Sequence, residues 1–241
     1  MLFAAFVVGA VVTGMEMRRK GLDHRSVYSV AAVAALAGVA GARFFYVLGH
    51  LDFFAGNWGA VWDFRQGGLV YYGGLLFAVP AVILLLRRTG LPLGKVADCV
   101  GLSLPLCLAV ARVGCFLNGC CGGKPSGLPW AVTFPGSAAP VHPTQLYEMA
   151  LDIAVFVFLL RVRKRLEADW ALFFLSLASY GLVRFVVEFF RYHPDPRAGP
   201  FFQALSLLLF VGGLAAARRV TVSARPGKAR EDAASPLGGK E

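Results

Sequence analysis

The stretch Val96–Gly123, VADCVGLSLPLCLAVARVGCFLNGCCGG, decides how the chain is read. Its first part, to Leu117, is long and apolar enough to cross a bilayer, since a hydrocarbon core of roughly 30 Å takes about 20 residues of helix. Its last part, Ala111–Gly123, carries Arg112, Asn118 and three of the five cysteines before a glycine-rich turn. An arginine at the edge of hydrocarbon is costly unless it faces protein, a polar cavity or an anion, so this stretch is both a span and the first candidate site.

Working outward, similar apolar runs recur. They cover about 1–15, 27–49, 69–86, 96–117, 145–160, 169–190 and 200–217, with an amphipathic aromatic connection at 50–68 that carries Trp58, Trp62 and Asp63 and suits an interfacial segment. With 57% hydrophobic and 16% charged residues, the expected fold is an all-α polytopic membrane protein of about seven transmembrane helices. Residues 1–217 are expected to form a single transmembrane domain, and 218–241 a cytoplasmic, basic, disordered tail. The first run is short for a full crossing, so the helix is expected either to cross partly or to lack residues before Met1. It is read as a span and not as a signal peptide, because its positive charges follow the apolar run.

The net charge of +10 would suggest nucleic acid in a soluble protein. Here the basic residues sit in short connections between apolar runs, where they set orientation and meet anionic headgroups, and no nucleic-acid partner is expected. Most Lys and Arg fall on the connections at 18–25, 87–95 and 161–165 and in the tail, whereas only Arg65, Lys124, Arg191 and Arg197 fall on the other side. The positive-inside bias therefore places the amino terminus outside and the carboxyl terminus inside. Arg112, Tyr72, His142 and Arg184 then share the outer half of the membrane.

Arg43, Arg112 and Arg184 lie in the outer halves of three different spans. Their charge points to an anionic ligand, and a phosphate suits the rigid donor fork of arginine. The alternative is snorkelling or pairing with Glu148, Asp152 and Glu188; Glu188 lies one helical turn beyond Arg184, and Tyr180 one turn before it. His142 opens the run His-Pro-Thr-Gln-Leu-Tyr-Glu and reads equally as a base, a phosphate ligand or a structural group at a helix start. Thr144 could cap that helix. Glu148 reads as a residue that ties helices together or holds an arginine. The Cys-x4-Cys-Cys pattern is no usual zinc spacing, so no metal is expected. A disulfide from Cys115, buried thiols and a nucleophilic thiol all stay open.

Taken in order, five features resemble the prolipoprotein diacylglyceryl transferase family. They are Gly41-Ala42-Arg43; Gly67-Gly68-Leu69-Val70-Tyr71-Tyr72-Gly73-Gly74; Ala111–Gly123; His142–Glu148; and Tyr180–Arg184 through Glu188–Arg191. The resemblance covers nearly the whole chain. It implies a seven-span bacterial enzyme of the inner (cytoplasmic) membrane that transfers a diacylglyceryl group from phosphatidylglycerol to the lipobox cysteine thiol of a prolipoprotein, releasing glycerol phosphate.

By position, Arg112 and Arg184 match the family's essential arginines, Asn118 its second signature asparagine, Gly123 its signature glycine, and Tyr180 and Glu188 its sixth-helix polar residues. Tyr72 stands where studied members have a histidine proposed to help catalysis. Cys115 replaces the first signature asparagine, Cys120 a glutamate and Ala111 the leading glycine. The expected catalytic set is Arg112, Arg184 and Tyr72. The expected lipid- and phosphate-binding set is Arg43, Arg112, Asn118, Gly123, His142, Tyr180, Arg184 and Glu188. The thiolate of the protein substrate is the nucleophile, so no cofactor is expected; the expected partners are phosphatidylglycerol, the prolipoprotein and membrane lipids. The competing readings are a changed acceptor, a lipid-binding or transport protein, and a purely structural role for the arginines.

Overall fold

The computed structural model describes residues 1–56, 58–63, 67–166 and 168–234, with side chains to 224; Arg65 and the end of the tail fall outside the described residues. The elements are helical: α1 (Leu2–Arg19), α2 (Ser26–Leu48), the short α3 (Leu51–Phe54), a 3-10 turn at Trp58–Trp62, α4 (Tyr71–Arg88), α5 (Leu93–Leu117), α6 (Thr144–Val162), α7 (Ala171–Glu188) and α8 (Ala198–Ala234). Each apolar run of the sequence coincides with one long helix. Five of these, α2, α4, α5, α7 and the apolar part of α8, are long and apolar enough to cross a membrane, which makes the chain an all-α polytopic membrane protein. The other two long helices, α1 and α6, carry charges: Glu16, Arg18 and Arg19 on α1, and Glu148 and Asp152 on α6. The last helix continues beyond residue 217 to Ala234.

The chain divides into two compact units, residues 17–96 and residues 1–16 with 97–241. In the first unit α2 packs on α4 through small residues. A Cβ on Gly41 would meet Phe77 and the Gly73 carbonyl, and one on Gly73 would come 2.7 Å from the Gly41 carbonyl, so only glycine lets these backbones touch. The helix start is fixed locally: the Asp23 carboxylate accepts from Ser26 Oγ at 2.8 Å and from the Arg25 amide at 3.1 Å. Those two bonds, the Ser26 bond foremost, hold the Asp23 carboxyl below the usual carboxylate range.

The second unit is built on α6, α7 and α8 with α5 and the start of α1. Gly181 of α7 lies against α8, where a Cβ would stand 2.6 Å from the Phe210 amide nitrogen and 2.7 Å from the Ser206 carbonyl. At the other end of α7, Trp170 takes a left-handed φ of 72° and offers no side-chain cap. Asp98 of α5 serves instead, accepting the Phe173 amide at 3.0 Å and so satisfying a helix-start donor from another helix. Arg163 pairs with the buried Glu16 at 2.5 Å, which ties the end of α6 to α1. Leu102, Leu159 and Leu172 form the buried apolar centre of this unit.

The α7–α8 contact gives a direct test. Gly181→Val is expected to lower stability by about 1–3 kcal/mol through overpacking. Gly212→Ala on α8, where an added Cβ meets nothing within 4 Å, is expected to be neutral or to stabilise by roughly 0.5–1 kcal/mol. Thermal unfolding of the two variants in detergent measures both.

Candidate functional site

The site grows from the carboxylate of Glu148, near the start of α6 and only 1% exposed. Its Oε1 accepts from Arg112 Nη2 at 2.6 Å, and its Oε2 from Arg184 Nη1 at 3.4 Å, with Arg191 Nη1 at 3.7 Å from the same oxygen. One buried carboxylate thus draws together arginines from α5, from α7 and from the turn after α7. Arg184 also donates to Glu188 at 2.9 Å, the i,i+4 pair anticipated from spacing, and the second oxygen of Glu188 meets His193. Asp152 lies one turn deeper on α6 and is buried, its Oδ2 without a hydrogen-bond partner among the described residues.

The donors left over matter most. Arg112 has one hydrogen bond, through Nη2, so among the described residues its Nε and Nη1 carry none. The side chains of Arg112, Arg184 and Arg191 are between 15% and 18% exposed, whereas their carboxylate partners are sealed. Three guanidiniums, Arg112, Arg184 and Arg191, face the two glutamates Glu148 and Glu188. The geometry offers a fixed fork of N–H groups to an anion arriving from the exposed side.

Arg43, expected in the same set, is differently engaged in the other unit. Five hydrogen bonds run from it to backbone carbonyls: Nε to Val61 at 2.7 Å, Nη1 to Gly67 and Gly68 at 3.0 and 3.2 Å, and Nη2 to Ala60 and Asp63, each at 2.8 Å. That matches the full donor capacity of the side chain, and the guanidinium lies over the rings of Tyr46 and Phe54. Arg43 therefore organises the connection between α3 and α4. Tyr72, in the first turn of α4, is exposed, with its ring edge-on to Tyr71.

The loop after α5 is shaped by backbone geometry. Gly119, at φ 68°, ends the helix: its amide donates to the Phe116 carbonyl, and the Cys120 amide donates to the Cys115 carbonyl at 3.1 Å, which together form a Schellman motif. Asn118 is the exposed last residue before that turn. Gly123 is buried and bridges to Arg191; a Cβ there would lie 2.8 Å from His142 Cβ and Thr144 Cγ2 and closer still to the Phe190 carbonyl. A side chain would therefore push the loop off the arginine-bearing turn. A cleft of about 250 Å³ lined by Gly119, Gly122, Gly123, Phe134 and Tyr192 opens beside it.

His142 is half-buried, within 3.3 Å of the Tyr147 hydroxyl through Nδ1 and packed on Phe190; that hydroxyl accepts from Trp130 Nε1 at 2.8 Å. Thr144 does not cap its own helix. Its hydroxyl donates to the Cys121 carbonyl at 2.8 Å, and Gln145 donates to the Cys120 carbonyl at 2.6 Å, so the start of α6 holds the cysteine loop in place. Tyr180 is half-buried one turn before Arg184. Arg191 and His193 entered the cluster without a sequence signal beyond their position after Glu188.

The three cysteines, linear in the sequence, are convergent in space. Cys115 and Cys120 occupy the two positions whose side chains a Schellman motif brings together, and Cys121 turns back with φ 65°. The three sulfurs lie within 4.8 Å of one another, all as free thiols.

Comparison with known proteins gives a consistent result. The profile described as prolipoprotein diacylglyceryl transferase matches residues 1–219. The phosphatidylglycerol–prolipoprotein diacylglyceryl transferase of Geobacter sulfurreducens is 37% identical over 239 residues, covering 93% of this chain and 90% of that protein. The protein of the same description from Clostridioides difficile is 31% identical over 218 residues, 90% of this chain and 87% of its own length. That from Vibrio vulnificus is 36% identical over 207 residues, covering 81% and 75%.

Removing the central carboxylate should release three cations at once. Glu148→Ala is expected to cost about 3 kcal/mol, because it leaves partly buried guanidiniums uncompensated. Glu148→Gln should cost less, since it keeps one acceptor oxygen. Denaturation midpoints of the two variants measure the difference.

Proposed function

The chain belongs to the prolipoprotein diacylglyceryl transferase family, and from that premise we propose that the Arg112–Glu148–Arg184 cluster holds the phosphate of its lipid substrate. The protein transfers a diacylglyceryl group from phosphatidylglycerol to the lipobox cysteine thiol of a prolipoprotein. The observation that carries the site assignment is that two arginines from different helices converge on one sealed carboxylate while Arg112 keeps unused N–H groups on its exposed side.

In the reaction the substrate thiolate attacks the glycerol carbon that bears the phosphate ester. The carbon–sulfur bond forms as the carbon–oxygen bond breaks, and the electron pair leaves on the ester oxygen as glycerol phosphate; the thiol proton passes to solvent. Arg112 and Arg184 neutralise the charge that grows on the leaving phosphate, and Glu148 presets their positions so that little reorganisation accompanies the step. The carboxylates of Glu148 and Glu188 also keep the empty cluster from standing as bare positive charge. Arg191 adds a third cation on the turn that Gly123 packs against. Asn118 and Gly123 shape the loop beside the phosphate, and His142 and Tyr180 flank it. Tyr72 acts as a hydrogen-bond donor through its phenol hydroxyl. Arg43 serves by fixing the backbone between α3 and α4 and is not assigned to the phosphate.

We further assign seven spans, counting α1 and α6, with the amino terminus outside and the basic carboxyl-terminal tail inside a bacterial inner membrane. This rests on the positive-inside distribution of Lys and Arg. The acceptor thiol then approaches from the outer face, together with the phosphatidylglycerol of the surrounding bilayer.

Purified protein incubated with phosphatidylglycerol and a lipobox peptide is expected to yield a peptide heavier by one diacylglyceryl group. Arg112→Ala and Arg184→Ala should each lower the rate at least about 100-fold, as expected for loss of one preorganised charge-stabilising donor. Tyr72→Phe should lower it roughly tenfold, the worth of one hydrogen bond of about 1.4 kcal/mol. Lipid binding without a peptide adduct would instead assign the protein another acceptor or a binding role.

A further inference from the structure

The transfer reaction uses none of the chain's own thiols, yet three of them meet beside the arginine cluster. We propose that Cys115, Cys120 and Cys121 form a three-sulfur binding site for a soft, thiophilic metal ion of the Cu(I) type. The sulfurs lie within 4.8 Å of one another, and those of Cys120 and Cys121 are 3.8 Å apart. Ligand sulfurs at about 2.3 Å from a shared ion stand roughly 3.8–4.0 Å apart, so closing the site needs only sub-ångström side-chain movement. Among the described residues no histidine or carboxylate joins the group. An all-sulfur set of three selects against hard cations, lacks the fourth protein ligand of a structural zinc site, and suits the low coordination of Cu(I).

The framework is built before any ion arrives. The Schellman turn fixes Cys115 relative to Cys120, and Gln145 and Thr144 of α6 hold the carbonyls of Cys120 and Cys121. Access is provided by Cys121, which is exposed, while Cys115 and Cys120 are half-buried. Electrostatics favour the bound state twice. Arg112, three residues before Cys115 on the same helix face, opposes the charge of the thiolates, and a cation between the sulfurs meets the negative end of the α5 dipole. Binding releases the thiol protons and keeps every sulfur in its reduced state.

The test uses the full-length, reduced protein in detergent, titrated with Cu(I) in competition with a chromogenic Cu(I) chelator, with native mass as a second readout. One Cu(I) per chain is expected. Cys115→Ser and Cys120→Ser should each weaken binding at least 100-fold, whereas Cys99→Ser and Cys107→Ser should leave it unchanged. Thermal unfolding confirms that each variant is folded. The proposal is overturned if the wild-type protein fails to compete for Cu(I), or if binding survives in Cys115→Ser and Cys120→Ser. It is equally overturned if the protein isolated without reductant has two of these thiols joined in a disulfide that persists on reduction sufficient to free Cys99 and Cys107. None of these outcomes depends on the transfer reaction, so the metal site and the transferase assignment stand or fall separately.

Discussion

The burial of Glu148 is the constraint around which the unit built on α5 to α8 is arranged. A carboxylate sealed from water inside a membrane protein is stable only when cations meet it, and here they come from three separate places in the chain: Arg112, Arg184 and Arg191. Each arginine in turn is too costly in an apolar setting without such a partner. The mutual need joins α5, α6 and α7 at one level. It also leaves guanidinium donors on the exposed side, the feature on which the proposed phosphate role rests.

The remaining architecture keeps that cluster in register. Glycines let helices approach to backbone contact where α7 meets α8 and where Gly123 meets the turn carrying Arg191. Asp98 satisfies the open start of α7, so the helix that carries Arg184 and Glu188 is anchored at its far end by a side chain of α5. The loop after α5 hangs on two hydrogen bonds from the first residues of α6, the helix of Glu148 itself.

Arg43 and Arg112 show how two residues of one type diverge. Both interrupt apolar helices near a glycine-rich segment. Arg43 points into the connection between α3 and α4, and its donors go to backbone carbonyls there. Arg112 meets one carboxylate and retains capacity. The difference lies in the backbone that folds around each guanidinium, and spacing in the sequence carries no trace of it.

Apolar periodicity and charge placement made the helical segments legible, because the bilayer imposes a length and a polarity on any crossing segment; the i,i+4 pair of Arg184 and Glu188 was legible for the same local reason. The family motifs singled out Arg112 and Arg184 for the phosphate role proposed here. What the sequence could not contain was long-range partnership: that Glu148 would serve three arginines, that Asp98 would cap a helix 75 residues away, or that Thr144 would hold a cysteine carbonyl instead of its own helix start. The cysteines fall between. Glycine at 119 flanked by Cys115 and Cys120 is a readable Schellman spacing, but the turn of Cys121 into a left-handed conformation is set by contacts with α6. Local chemistry determines elements, since each residue carries its own preference; only the tertiary structure decides which buried charges neutralise one another, since that depends on where distant segments meet.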